Sequence, residues 1–213
     1  MFDHYLRALK DRLLEPLARR LGRGVAPNAL TLLACLAGLL CAGAAWRRAD
    51  SLALALWAAN RLLDGLDGTL ARVHGRQTDF GGYLDLLLDF VVYAAVPTGL
   101  AFGRPAPLLL GACVVLVGSF YVNAASWLYL SAVLEKRGAG AAARGERTAV
   151  AMPAGLVAGA ETVVFYALFL ARPGDAPVLF GVMAGLVSLT VAQRVWWARR
   201  HLAAPAADAP DAG

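Results

Sequence analysis

The chain has 213 residues, of which 59% are apolar (AVILMFWYC) and only 16% charged, with a mean hydropathy of +0.58. A soluble domain carries about 25% charged and about 45–50% apolar residues, so the composition excludes a soluble globular enzyme and a disordered chain, and three cysteines exclude a disulfide-stapled scaffold. What remains is an all-α polytopic membrane protein, in which the excess of 20 Lys+Arg over 15 Asp+Glu reflects basic cytoplasmic loops and not nucleic-acid binding.

Residues 1–24 lack the apolar core of a signal peptide. Phe2, Leu6, Leu9, Leu13, Leu17 and Leu21 recur at three- and four-residue spacing, with Arg7, Lys10, Arg12, Arg19 and Arg20 on the other faces. This pattern predicts an amphipathic interfacial helix lying on the membrane. Six apolar stretches then fill residues 25–201, each long enough for the roughly 20 residues a bilayer requires. They are Asn28 to Trp46, Ser51 to Arg72, Gly81 to Phe102, Pro107 to Leu134, Thr148 to Ala171 and Ala176 to Ala198. Residues 202–213, rich in Ala, Pro and Asp, read as a disordered tail.

Six spans put both termini on one side of the membrane. With the N-terminus cytoplasmic, that side collects sixteen of the twenty basic residues, and only Arg47, Arg48, Arg104 and Arg172 fall opposite. The bias predicts cytoplasmic termini. Cys35, Cys41 and Cys113 lie inside apolar runs without metal-ligand spacing, and read as buried thiols.

Carboxylates inside spans need a reason, because each costs roughly 2.5–3.5 kcal/mol at the bilayer centre. The second span holds Asp64 and Asp67, and the third holds Asp85 and Asp89. Helical periodicity places Asp64, Asp67, Gly68 and Ala71 on one stripe and Gly81, Asp85 and Asp89 on another, both toward the cytoplasmic ends. Four carboxylates brought together there would repel unless a cation neutralised them. All-oxygen donors suit Mg²⁺ or Mn²⁺, and the small residues in register leave room for a diphosphate substrate.

The pattern Asp64-x2-Asp67-Gly68-x2-Ala71-Arg72-x8-Gly81-x3-Asp85-x3-Asp89 resembles the signature of the CDP-alcohol phosphatidyltransferase family, and Pro27-Asn28-x2-Thr31 resembles that family's short motif at the start of the first span. The resemblance implies six transmembrane helices behind an amphipathic N-terminal helix. It implies transfer of a phosphate-linked group from a CDP-activated donor to an alcohol, with release of CMP, in phospholipid biosynthesis. Asp64, Asp67, Asp85 and Asp89 would hold one or two Mg²⁺ or Mn²⁺ ions, and Asp89 would be the general base on the acceptor hydroxyl. Asn28, Gly68, Ala71, Arg72, Thr78 and Gly81 would bind the CDP donor. The family also implies a homodimer, and the short six-span layout resembles its bacterial members, which use CDP-diacylglycerol in the inner (cytoplasmic) membrane with the active site on the cytoplasmic side.

Three other readings compete. A CDP-amino alcohol could be the donor and diacylglycerol the acceptor, with the same chemistry. The carboxylates could be a cation site of an ion-coupled transporter, although such sites lie near the midplane between repeated halves, or interfacial groups paired with Arg61, Arg72 or Arg76. His74 reads as a solvated loop residue. Gly155-x3-Gly159 and Gly181-x3-Gly185 permit close helix packing within the chain or in a dimer.

For the acceptor pocket the candidates are Glu161, in the fifth span, and Arg194, near the cytoplasmic end of the sixth, unless the two simply pair. The stretch Ser119 to Trp127 carries no Lys or Arg, which favours an uncharged or amino alcohol. A phosphorylated acceptor read by Arg144, Arg147 or Arg194 is the alternative.

Overall fold

The computed structural model describes residues 13–138 and 159–202. Among them every regular element is helical, with no strand. A helix over 13–21 is followed by α1 (Pro27–Trp46), α2 (Asp50–Val73), α3 (Asp79–Gly103), α4 (Pro107–Lys136), α5 (Gly159–Ala171) and α6 (Ala176–Leu202). These match the six predicted stretches to within a few residues, with the start of the fifth outside the described residues. The signals are local: Pro27 opens α1 where a missing N–H costs nothing, and the Thr78 hydroxyl caps α3 by accepting the Gly81 amide at 3.0 Å.

Four of these segments, α1, α3, α4 and the run Pro173–Leu202 that contains α6, are long and apolar enough to cross a bilayer. The α2 helix has the length, at 24 residues, but carries Asp50, Arg61, Asp64, Asp67 and Arg72. Only 13 residues of α5 are described.

The described residues fall into two compact units, one made of residues 13–117 with 159–183, the other of 118–138 with 184–202. In the first, α1 packs against both α2 and α3. The approach to α3 is close because Gly38, Gly99 and Gly103 remove side chains at the crossing. A Cβ on Gly99 would run into the Ala42 carbonyl, and one on Gly38 into the Val92 methyls. The opposite face of α1, with Leu32, Leu33, Leu36 and Leu40, is exposed, as a lipid-facing surface requires.

At the end of this bundle away from the acidic cluster, Arg104 clamps both Asp50 oxygens at 2.6 Å. Arg48, held at φ 61°, donates to the Gly103 carbonyl at 2.6 Å. Two of the four basic residues assigned to that side are thus structural.

The helix over 13–21 also packs a second face against the chain itself. Leu14 and Ala18 are buried against Leu30, Leu66 and Leu70, while Leu21 packs at their edge. Leu13 and Leu17 stay exposed. Both faces are apolar, so periodicity alone did not choose between them. Phe2, Leu6, Leu9, Arg7, Lys10 and Arg12 lie outside the described residues, as do Arg144, Arg147, Gly155 and 203–213.

His74 is likewise not a solvated loop group, since it is half-buried with Nε2 3.3 Å from the Ala18 carbonyl, tying this helix to the turn after α2. Gly159, Gly181 and Gly185 have open space where a Cβ would sit. They make no close helix contact among the described residues, and Gly155 lies outside those residues. Cys41 and Cys113 are buried and Cys35 is half-buried, all as free thiols.

Pro97 lies inside α3 and cannot offer an N–H to the Tyr93 carbonyl four residues back. The Tyr166 hydroxyl of α5 donates to that carbonyl instead. Tyr166 in turn stacks on Trp57 of α2, with ring centroids 4.9 Å apart, and the Trp57 indole donates to the Val163 carbonyl at 3.2 Å. One missing backbone donor thus fixes where α5 docks on α2 and α3.

In the second unit, Leu130 and Leu134 of α4 pack against Trp197, Ala198 and Leu202 of α6.

Candidate active site

The turn over residues 74–78 returns the chain so that α2 and α3 run antiparallel, with α1 beside both. Asp64, Asp85 and Asp89 line one narrow cleft of about 10 Å³ with Thr31, Ala34, Cys35, Asn60, Leu88 and Val92. Three of the four predicted carboxylates therefore share a cleft drawn from all three helices.

Asp67 sits beside it, 5% exposed. The Thr31 hydroxyl donates to its Oδ2 at 2.6 Å, and the Gly68 amide donates to Oδ1. A buried carboxylate needs such donors, and Thr31, from the short motif opening α1, supplies one across the helix interface.

Arg61, weighed from the sequence only as a charge partner for the carboxylates, is a structural centre of the site. Its side chain is 12% exposed. Nη2 donates to Asp89 Oδ1 at 2.9 Å, and Nη1 lies 3.7 Å from Asp64 Oδ2 and 3.0 Å from the Tyr93 hydroxyl. Nε donates to Asn60 Oδ1 at 2.7 Å, and Asn60 is itself anchored on the Ala34 carbonyl at 2.7 Å. The guanidinium also lies over the rings of Trp57, at 4.8 Å, and Tyr93, at 5.3 Å, a favourable cation–π placement. The one sequence signal was an Arg three residues before Asp64, on the same helical stripe.

Pairing with Arg61, foreseen as the blander account of the acids, is therefore real for Asp89 and Asp64. It neutralises one charge among four.

The remaining donor-site candidates form two groups. A Cβ on Gly81 would lie 3.1 Å from the Thr78 hydroxyl and 3.2 Å from Asn28 Oδ1, so Asn28, Thr78 and Gly81 are neighbours. Asn28 and Thr78 also line a wider cleft of about 380 Å³ with Ala26, Pro27, Gly75, Arg76 and Gln77. A Cβ on Gly68 would lie 3.2 Å from Arg72 Nη1, and Arg72 Nη2 donates to the Thr69 hydroxyl at 3.2 Å. Ala71, one residue before Arg72, is half-buried. Glycine at 68 and 81 keeps these polar groups uncovered.

As a donor set the four carboxylates fit a hard divalent cation: all are oxygen ligands, three in one cleft and the fourth adjoining. Among the described residues, no three acidic, His or Cys side chains converge on one point. Thr31 holds Asp67 and Arg61 holds Asp89 in their present rotamers.

Glu161 lies exposed in the first described turn of α5. In the second unit, Arg194 is buried, and its Nη1 donates to Asn123 Oδ1 at 3.0 Å and Ser126 Oγ at 3.2 Å. Arg194 Nε has no hydrogen-bond partner among the described residues. The stretch Ser119 to Trp127 carries no cation of its own, yet receives one from α6.

Residues 24–196 match the family model described as CDP-alcohol phosphatidyltransferase. The chain is 32% identical over 200 residues to the inner membrane protein YnjF of Escherichia coli, covering 92% of this chain and 94% of that one. It is 34% identical over 103 residues to the archaetidylinositol phosphate synthase of Pyrococcus horikoshii, covering 46% of this chain and 54% of that one. To the CDP-diacylglycerol–serine O-phosphatidyltransferase of Mycobacterium tuberculosis it is 35% identical over 101 residues, covering 43% of this chain and 35% of that one. The chain thus spans about half or less of the latter two.

The fold is similar to the crystal structure of the M. tuberculosis phosphatidylinositol phosphate synthase with CDP-DAG bound, with a TM-score of 0.68 at 23% identity over 87% of this chain and 92% of that one. The same enzyme in complex with manganese and citrate gives 0.66 at 23% identity over 86% and 87%.

Proposed function

The chain belongs to the CDP-alcohol phosphatidyltransferase family, and from that premise we propose that it transfers a phosphatidyl group from CDP-diacylglycerol to an alcohol, releasing CMP. The observation that carries this is the sharing of one cleft by Asp64, Asp85 and Asp89, with Asp67 beside it.

In this reading the four carboxylates hold one or two Mg²⁺ or Mn²⁺ ions, which supply charge neutralisation at the diphosphate. Arg72, Gly68, Ala71, Gly81, Asn28 and Thr78 receive the CDP portion. The acceptor oxygen bonds to the phosphatidyl phosphorus as that phosphorus breaks its bond to the bridging oxygen. CMP leaves with the bridging oxygen, and the hydroxyl proton passes to Asp89. An Asp base is weak toward a free alcohol, so holding the hydroxyl in line carries much of the acceleration. The transfer is direct, without a phosphoryl-enzyme.

Glu161 and Arg194 are assigned to the acceptor side. Among the described residues Arg194 is buried with neutral partners and an unpartnered Nε, which favours an acceptor bearing an anionic group over the uncharged or amino alcohol suggested by the missing charge in α4. The topology we propose is six spans in a bacterial inner membrane, with both termini and the cleft cytoplasmic and the N-terminal helix on that surface. A homodimer completes the reading.

The test is purified protein with Mg²⁺ or Mn²⁺, CDP-diacylglycerol, and a panel of serine, inositol, inositol phosphate and glycerol phosphate, reading the lipid product. A new phospholipid with one acceptor is expected. No product with CDP-diacylglycerol, but product from a CDP-amino alcohol with diacylglycerol, would reverse donor and acceptor. Metal-dependent ion flux in liposomes without any CDP compound would support a transporter instead.

A further inference from the structure

We propose that Arg61 is the positioning residue of this site, fixing the orientation of Asp89 from a cage built by α2 and α3 and braced by α1 and α5. The inference rests on Asp89 being the base.

Every donor-bearing nitrogen of Arg61 is committed: Nε to Asn60, Nη1 to the Tyr93 hydroxyl, and Nη2 to Asp89 Oδ1. Its flat face is covered by Trp57 and Tyr93. The cage is itself braced. Asn60 is tied to the backbone of α1, Trp57 to the backbone of α5, and the Tyr93 carbonyl to the Tyr166 hydroxyl. A long flexible cation therefore has one position. By taking Oδ1 of Asp89 it leaves Oδ2 for the hydroxyl proton.

A planar fork suits this role where an ammonium does not. Electrostatically, Arg61 is a poor aid to metal binding, since it places a positive charge against Asp64 and Asp89, two of the assigned ligands. Its placement there, at that cost in affinity, points to geometry as its use.

This gives the test an opposed pair of signs. Arg61→Gln should lower kcat for CMP release about 100-fold, the scale of a 1 Å misplacement, with KM for CDP-diacylglycerol little changed. The same variant should bind Mn²⁺ severalfold more tightly, read from the electron paramagnetic resonance signal of free Mn²⁺, because a repelling charge is gone. Arg61→Lys should recover part of kcat and bring Mn²⁺ affinity back toward the original. Tyr93→Phe, which deletes one hydrogen bond to the guanidinium and disturbs the fold least, should lower kcat several-fold at unchanged Mn²⁺ affinity.

An unaltered kcat in Arg61→Gln or in Tyr93→Phe would overturn the inference. So would weaker Mn²⁺ binding together with lost turnover, the mark of a merely structural side chain. Absence of CMP release from the unmodified protein with every CDP donor would instead bring down the proposed function, and this inference with it.

Discussion

Tyr166→Phe removes a single hydroxyl from a fully buried ring, and its cost is set by a proline on another helix. The hydroxyl donates to the Tyr93 carbonyl, which Pro97 leaves without its helical N–H. An unsatisfied buried acceptor costs about 1–3 kcal/mol in soluble proteins. Side-chain hydrogen bonds inside membrane proteins average about 0.6 kcal/mol, with a maximum near 1.7, because deprived groups usually find another partner. The Tyr93 carbonyl has no N–H four residues on to turn to, so Tyr166→Phe should cost about 1–1.7 kcal/mol. In a Pro97→Ala background the restored amide satisfies the carbonyl, and the same change should cost about 0.5 kcal/mol or less. SDS-induced unfolding in mixed micelles, on both single variants and the double variant, measures the coupling, expected near 1 kcal/mol. Additivity to within about 0.3 kcal/mol would refute the link between Pro97 and Tyr166.

Two further predictions concern the helices that frame the cleft. Gly99→Ala drives a Cβ into the Ala42 carbonyl and should destabilise the fold by about 1–3 kcal/mol, the cost of overpacking. Gly43→Ala, with open space around it, should stay within about 0.5 kcal/mol; equal thermal unfolding of the two would contradict the close crossing. Thr31→Val keeps the side-chain shape but removes the 2.6 Å hydrogen bond to Asp67. It should weaken Mn²⁺ binding about 10–100-fold, as loss of a ligand's orienting partner does, and unchanged affinity would remove Thr31 from that role.

The helices and the acidic stripes could be read from the sequence because their signals are local. Apolar runs of bilayer length, ended by Pro27, the Arg47–Ala49 turn or the Arg104–Ala106 turn, fix the elements, and the spacing within α2 and α3 fixes which carboxylates share a face. What escaped depends on partners distant in the chain. Arg61 looks like one more basic residue until Asp89 and Tyr93, 28 and 32 positions on, fold against it. The buried face of the N-terminal helix could not be chosen from Leu13, Leu14, Leu17 and Ala18, which offer two adjoining apolar stripes. Among the described residues the glycines of α6 carry the familiar spacing yet meet nothing within 4 Å, whereas Gly99 and Gly103, which carry the same spacing, and Gly38 make the close contact. The stretch in α4 carries no cation of its own, and the one it meets arrives from α6.

The most direct test of the central claim is CMP release from CDP-diacylglycerol by the unmodified protein and by Asp89→Asn, each with Mn²⁺ and with chelator. The account predicts release only with metal, and a loss of about 10²–10⁴-fold in Asp89→Asn while its unfolding curve stays near that of the unmodified protein. Metal-independent release, or an Asp89→Asn variant that turns over at the original rate, would contradict it.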